Sequence, residues 1–169
     1  NMIVRDIDVF KQTPTVVTIT ITTPKEEIAH LLEPYAPPPE KRFSALQKIT
    51  ENGIPAVARI DPILPGINDD PKDFESLISL LSSVGVKQVT VATMKLVRGT
   101  FSAMKQTHPE VWRKLTNEYR DGSWLAGYKY LHVEKRRKIL ERLRPIVLKY
   151  GLNFASCREG FPQLNTTLC

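Results

Sequence analysis

Cysteine is nearly missing from these 169 residues: Cys157 and Cys169 are the only two, both within the last thirteen positions. Two thiols cannot build a disulfide framework, so an intracellular, reducing compartment, the cytoplasm, is the expectation. No apolar run approaches the ~18 residues that a membrane-spanning helix needs, and no membrane contact is expected. The opening residues, Asn1-Met2-Ile3-Val4-Arg5-Asp6, lack the basic-then-apolar order of a signal peptide. Gly-x-Gly-x-x-Gly and Gly-Lys-Ser/Thr are both absent. A dinucleotide-binding or P-loop reading therefore has no chemical signature. There is no short-period repeat and no low-complexity tract.

What remains is one globular domain's worth of chain, with 41% hydrophobic residues and a mean hydropathy of -0.23. The 24 basic side chains outnumber the 18 acidic ones, and the excess is uneven. Residues 121–169 hold nine Lys/Arg against four Asp/Glu, which is five of the six surplus charges.

Thr15 to Thr22 alternates β-branched residues strictly and reads as a strand, with Thr18, Thr20 and Thr22 on one face. Thr23-Pro24-Lys25-Glu26 has the form of a capping box for a short helix that stops before Pro37-Pro38-Pro39. A longer helix is expected over 40–51, with Phe43, Leu46 and Ile49 inward and Asn52-Gly53 closing it. Ile54 to Ile63 predicts a second strand, running into a stiff loop, Pro62-Ile63-Leu64-Pro65-Gly66-Ile67-Asn68-Asp69. Asp70-Pro71 caps a helix whose apolar stripe is Phe74, Leu77, Ile78, Leu81 and Val84, and Val86 to Met94 predicts a third strand. Strand–helix–strand–helix–strand with short links is the βαβ rhythm of a parallel sheet. After Leu96 a helix is expected through Val111, Leu115 and Tyr119, then a long one over 133–150 with Pro145 inside, then a last strand before Cys157. Three parallel strands of this kind fit either part of a barrel or a small doubly wound sheet.

Ligands of parallel α/β folds gather at the C-terminal ends of the strands. Central parallel strands are usually apolar on both faces, so three threonines on one face suggest a hydrated cavity. Arg59 and Asp61 share a face of the second strand. Two charges there must pair with each other or meet a ligand, and the rigid loop that follows favours a ligand.

These residues fall into a familiar series. Arg5-Asp6-Ile7-Asp8, Val17 to Thr23, Leu32-Glu33-Pro34 with Ala36-Pro37, Arg42, Asn52-Gly53-Ile54-Pro55 and Pro62 to Asp69 together resemble the radical S-adenosylmethionine superfamily, in its spore-photoproduct-lyase-like (DNA-photolyase-related) branch. The resemblance covers residues 3–95 well and the rest loosely. It implies an α/β fold of parallel strands with flanking helices: the C-terminal part of a partial (β/α) TIM-like barrel over 1–95, followed by a helical extension with a final strand and a cysteine-containing tail over 96–169.

The resemblance also implies S-adenosylmethionine and a [4Fe–4S] cluster, which in the intact enzyme generate a 5′-deoxyadenosyl radical. It would place Thr20 and Thr22 near the ribose or the methionine moiety. Arg42 or Arg59 would meet the methionine carboxylate, with Asp61 beside it. Pro62, Leu64 and Gly66 would lie along the adenine. Two departures stand against this pattern. The family's Cys-x-x-x-Cys-x-x-Cys is absent, and the usual Gly-x-Ile-x-Gly-x-x-Glu has given way to a proline-rich version. The cluster motif belongs upstream of residue 1. The chain is therefore expected to be a C-terminal fragment whose partner is the missing N-terminal part, and to be inactive alone.

Two features stay open. Cys157 and Cys169 are either free thiols or part of an auxiliary metal site completed from elsewhere. The helix over 133–150 carries Lys135, Arg136, Arg137, Lys138, Arg142, Arg144 and Lys149 against two glutamates. Its basic face is either plainly solvated or a phosphate-binding surface. The second case would make the chain a non-catalytic nucleic-acid-binding domain, with Trp112, Trp124, Tyr128 and Tyr130 available for stacking.

Overall fold

The computed structural model describes residues 2–169. Two short helices, α1 (Met2–Arg5) and α2 (Ile7–Phe10), precede β1 (Val17–Thr20). Then follow α3 (Glu26–Leu32), α4 (Pro39–Glu51), β2 (Ala56–Ile63), α5 (Pro71–Ser83) and β3 (Gln88–Thr93). The remainder runs β4 (Leu96–Val97), α6 (Arg98–Thr107), α7 (Pro109–Glu118), β5 (Ser123–Leu125), β6 (Tyr128–Tyr130), α8 (Val133–Lys149) and β7 (Asn153–Ser156).

Four strands form one parallel sheet in the order β1-β2-β3-β7, and β4, β6 and β5 form a small antiparallel one. Spatial order equals chain order. With right-handed crossovers every connecting helix then falls on the same face of the sheet, whereas a doubly wound sheet needs the order to reverse. The arrangement is a segment of a barrel wall. Residues after 96 return to it, because β7 pairs with β3 and α8 packs beside α5.

The core lies between that sheet and α4, α5 and α8. Ala56, Ala58 and Ile60 of β2, Val89 and Val91 of β3, and Phe154 of β7 meet Leu46, Ile49, Phe74, Leu77, Leu81, Leu140, Leu143 and Val147, all fully buried. Helix α5 begins where the sequence says it should: the Asp70 carboxylate accepts from the N–H groups of Lys72 and Asp73, and Pro71 fills the first helical position. The Asp70 carboxyl is held below the usual carboxylate range chiefly by the Asp73 N–H.

Several expected boundaries move. The capping box at Thr23 does not form: α3 starts at Glu26, and the Thr23 hydroxyl accepts from the Lys25 N–H in a tight turn before the helix. β2 ends at Ile63 as expected, but Pro62 and Ile63 belong to the strand rather than to the stiff loop, and Ile63 pairs with Thr93 across a register shift. Neither α6 nor the β5–β6 hairpin is expected from the sequence pattern. That hairpin turns at Ala126-Gly127, both at positive φ (48° and 82°), without the Asn-Gly or Asp-Gly that signals such a turn.

Candidate functional site

Pairing register decides which side chains share the helix-free face of the sheet, part of which the C-terminal tail crosses. Thr18, Val57, Gln88 and Asn153 stand in one row across it, and Thr20, Arg59, Thr90 and Ala155 in the next. Asp61 and Cys157 continue the alternation toward the C-terminal ends. Burial follows the same period: Ala56, Ala58 and Ile60 are buried, while Val57, Arg59 and Asp61 are only partly covered. This face is polar where buried parallel strands are usually apolar.

At its centre Arg59 Nη2 donates to Asp61 Oδ2 at 2.6 Å, with 31% and 24% of the two side chains exposed. The internal ion pair, one of the two outcomes open from the sequence, is therefore present. It leaves much of both groups facing solvent. The hydrogen bond to Asp61 raises the Arg59 guanidinium above its ordinary value, so it stays charged at any working pH. Cys157 and Cys169 also lie at this face, close enough for each thiol to perturb the other and for Arg59 to act on both.

The other residues expected at the site lie elsewhere. Arg42 is enclosed: Nε donates to Pro37 O at 2.7 Å, Nη1 to Thr20 O at 2.9 Å and Nη2 to Glu33. Thr22 is buried, and its hydroxyl donates to the other oxygen of Glu33 at 3.0 Å. Arg42, Glu33 and Thr22 thus form a brace that fastens α3 and α4 to the end of β1. Leu64 is buried in the core. Pro62 is partly exposed at the end of β2, and Gly66 lines a separate hollow of about 280 Å³ against Lys138 and Arg142 of α8. Thr20, Arg59 and Asp61 are brought together; Thr22, Arg42, Leu64 and Gly66 are not.

Two residues that sequence reasoning passed over hold this end of the sheet in shape. Asn68, only 6% exposed, accepts from Leu64 N–H at 2.7 Å and donates to Thr22 O and Pro62 O, tying the ends of β1 and β2 together. Glu159 is fully buried, yet takes hydrogen bonds from Thr93 N–H and Oγ1 and from Lys95 Nζ at 3.1 Å, with Arg136 Nη1 3.5 Å away. Nothing in Cys157-Arg158-Glu159-Gly160 signals a buried carboxylate. By contrast, Gln88-x-Thr90 did carry a readable alternation in the third strand, continuing the polar face.

The basic helix presents fewer free charges than its sequence suggests. Lys135 pairs with Glu118, Arg136 with Glu159, Arg137 with Glu141, Arg142 with Asp69 and Lys149 with Glu75, while Arg144 donates to Leu164 O. Exposed aromatic rings lie on the antiparallel sheet, next to Arg98 at the start of α6. There the Arg98 guanidinium stacks 4.7 Å from the Trp124 ring centroid, and Tyr128 is half exposed.

Among the described residues no three of His, Cys, Asp and Glu gather as metal ligands. The auxiliary site expected at Cys157 and Cys169 thus has two thiols and no third donor among them. No helix in the described residues is long and apolar enough to cross a membrane.

No family model matches the chain. An uncharacterised protein of Acidianus two-tailed virus is 31% identical over 93 residues, which is 52% of this chain and 31% of that protein. An uncharacterised protein of Methanocaldococcus jannaschii is 37% identical over 70 residues, 41% of this chain and 27% of its own length. The matched stretch is about a third of either curated relative or less. A solved domain of a pyruvate-formate lyase-activating enzyme from Bacteroides vulgatus superposes with a TM-score of 0.58 at 13% identity, covering 90% of this chain and 73% of that one. Spore photoproduct lyase complexed with dinucleoside spore photoproduct superposes with a TM-score of 0.61 at 15% identity, covering 84% and 44%. At such identities the likeness is one of fold: the chain has the parallel, single-wound α/β architecture of these enzymes.

Proposed function

We propose that this chain is the C-terminal part of a radical S-adenosylmethionine enzyme of the spore-photoproduct-lyase-like branch. Its uncovered sheet face would form part of the cofactor site. One observation carries the reading: a barrel-wall sheet whose helix-free face sets the partly exposed Thr20 and Arg59 side by side in register, with Asp61 next along β2. Such a row offers the Arg59 guanidinium for a carboxylate and the Thr20 hydroxyl for a ribose, with Asp61 beside them. Arg42 is fully committed to its brace, so Arg59 is the arginine assigned to the methionine carboxylate. When bound, S-adenosylmethionine would supply reductive-cleavage chemistry; this chain's residues would bind and orient it.

The residues present do not fit the iron–sulfur cluster. Three thiolates are the minimum, the chain holds two, and no third ligand stands near them among the described residues. Cluster ligation falls to an N-terminal part of the parent protein. The unpaired edge of β1, beside which no strand lies among the described residues, is where its strands would continue the wall.

The substrate class we propose is nucleic acid, in keeping with the lesion bound by spore photoproduct lyase. The surface favoured is Trp124 and Tyr128 of the antiparallel sheet with Arg98 at the start of α6, because five of the seven cations of α8 are already in ion pairs.

Equilibrium dialysis of the purified chain against S-adenosylmethionine tests the cofactor reading. Weak binding is expected, falling about tenfold or more in Arg59→Ala, the loss of one charge-assisted contact. Binding unchanged by Arg59→Ala would overturn it. Incubation with iron and sulfide should give no [4Fe–4S] absorbance; its appearance would contradict the assignment of the cluster to another part of the protein.

A further inference from the structure

The last residues of the chain fold back over the sheet. Thr166 exchanges hydrogen bonds with the backbone of Phe154 along the outer edge of β7. Asn165 Oδ1 accepts from Ser156 N–H at 2.7 Å and from its hydroxyl at 2.8 Å. Two residues beyond Thr166, Leu168 O accepts from Gln88 Nε2 at 2.9 Å, and Gln88 belongs to β3 and to the uncovered face. Between these anchors the tail must step from the edge of β7 across its open face. Cys169 follows directly on Leu168, close enough to Cys157 for the two thiols to perturb each other, and the Cys157 N–H extends the β3–β7 ladder by donating to Val91 O at 2.9 Å.

We propose that Cys157 and Cys169 are a dithiol modification site, oxidised by a peroxide to an intramolecular disulfide that pins the tail across the sheet face. Both thiols are free; Cys157 is half-buried at a fixed strand end, and Cys169 is exposed on the short arm that reaches it. The charged groups acting on Cys157 are Arg59 of β2 and Arg158 of its own segment, while Cys169 feels Arg59 and Asp61. The two thiols are not equivalent. Burial pushes the Cys157 thiol up, but the neighbouring Cys169, Arg59 and Arg158 side chains outweigh it and bring the thiol below its ordinary value. Burial and the neighbouring Cys157 push Cys169 up. Cys157 is thus the attacking thiolate.

It takes one oxygen from the peroxide, the O–O bond breaks, and Cys157 becomes a sulfenic acid with release of water or an alcohol. The Cys169 sulfur then attacks that of Cys157. The S–S bond forms, the sulfenic hydroxyl leaves, and with the Cys169 proton it departs as a second water. Two thiols have each lost one electron and one proton, and the peroxide has been reduced. This inference does not depend on which ligand occupies the sheet face.

Trypsin reads the outcome directly, because Lys149 and Arg158 place the two cysteines on separate peptides, residues 150–158 and 159–169. After treatment of the native chain with hydrogen peroxide, a non-reducing digest is expected to lose both free peptides. In their place a single disulfide-linked species should appear, two hydrogen atoms lighter than their sum and reversed by dithiothreitol. The protein should stay monomeric on a non-reducing gel at every dilution. Cys157→Ser and Cys169→Ser should each lose the linked species. Cys169→Ser should instead hold a sulfenic acid at Cys157, trapped by dimedone. A link found only in covalent dimers, or over-oxidation of Cys157 in the native chain with residues 159–169 still unlinked, would overturn the assignment.

Discussion

The two faces of the parallel sheet are built from alternating residues of the same strands, yet they carry opposite chemistry. Toward α4, α5 and α8 stand Ala56, Ala58, Ile60, Val89, Val91 and Phe154, all fully or nearly fully buried. Away from the helices stand Thr18, Thr20, Arg59, Asp61, Gln88 and Asn153, none of them buried, together with Thr90 and Ala155, which are. Stability belongs to the first face, since buried apolar area is the main favourable term in folding. The second face contributes little to it and keeps its polar groups available. The contrast predicts that substitutions on the two faces separate cleanly, one set unfolding the protein and the other altering only what it binds.

The largest effect is expected at Phe154→Ala, which removes a fully buried ring from the covered face and leaves a cavity. Chemical denaturation should show a loss of about 4 kcal/mol. Next comes Glu159→Gln. Its side chain is fully buried, and its neutralisation leaves Lys95 and Arg136, 10% and 15% exposed, without their countercharge. A loss of about 3 kcal/mol is expected, because the remaining buried charges bear the desolvation cost unpaired. Arg42→Ala follows at about 2 kcal/mol, from three lost charge-assisted hydrogen bonds and a Glu33 carboxylate left without its guanidinium. If Arg42→Ala instead kept full stability and lost cofactor binding, the roles of Arg42 and Arg59 would have to be exchanged.

The sequence made the sheet legible because its strands obey strong local rules. Alternation placed Thr18 and Thr20 on one face and Arg59 and Asp61 together, and Asp70-Pro71 and Gly85 bracketed α5 within a residue or two. It could not show that Thr22 turns from that face to bond Glu33, because strand alternation ends at Thr20 and a loop side chain follows its hydrogen-bond partner. Nor could it rank Arg42 against Arg59. One lies on α4 and the other in β2, and only the fold encloses the first between Pro37, Thr20 and Glu33 while leaving the second at a half-open surface. The hairpin at 123–130 escaped notice because three-residue strands carry too few alternations to register. The basic appearance of α8 misled for a related reason: the acids that pair with its cations, Asp69, Glu75, Glu118 and Glu159, are distant in sequence and meet it only on folding.

The smallest effect on stability is expected on the open face, where it is also the most informative. The Arg59–Asp61 pair is about a quarter to a third exposed, so solvent screening leaves it worth less than about 1 kcal/mol. Arg59 has a folded-state value raised by Asp61, so whatever stability it contributes is fully present below its unfolded value and is lost only as pH rises through the raised one. Both lie far above neutrality, and Arg59→Ala should therefore shift the midpoint of unfolding slightly and equally between about pH 5 and pH 9. Asp61→Asn sharpens the contrast further. It removes the internal competitor for the guanidinium, so a carboxylate-bearing nucleoside should bind this variant more tightly than the parent chain, while 5′-deoxyadenosine, which has no carboxylate, should gain nothing. Equal gains for both compounds would mean that Asp61 repels ligands in general, and that Arg59 is the anchor of a structural pair and of nothing else.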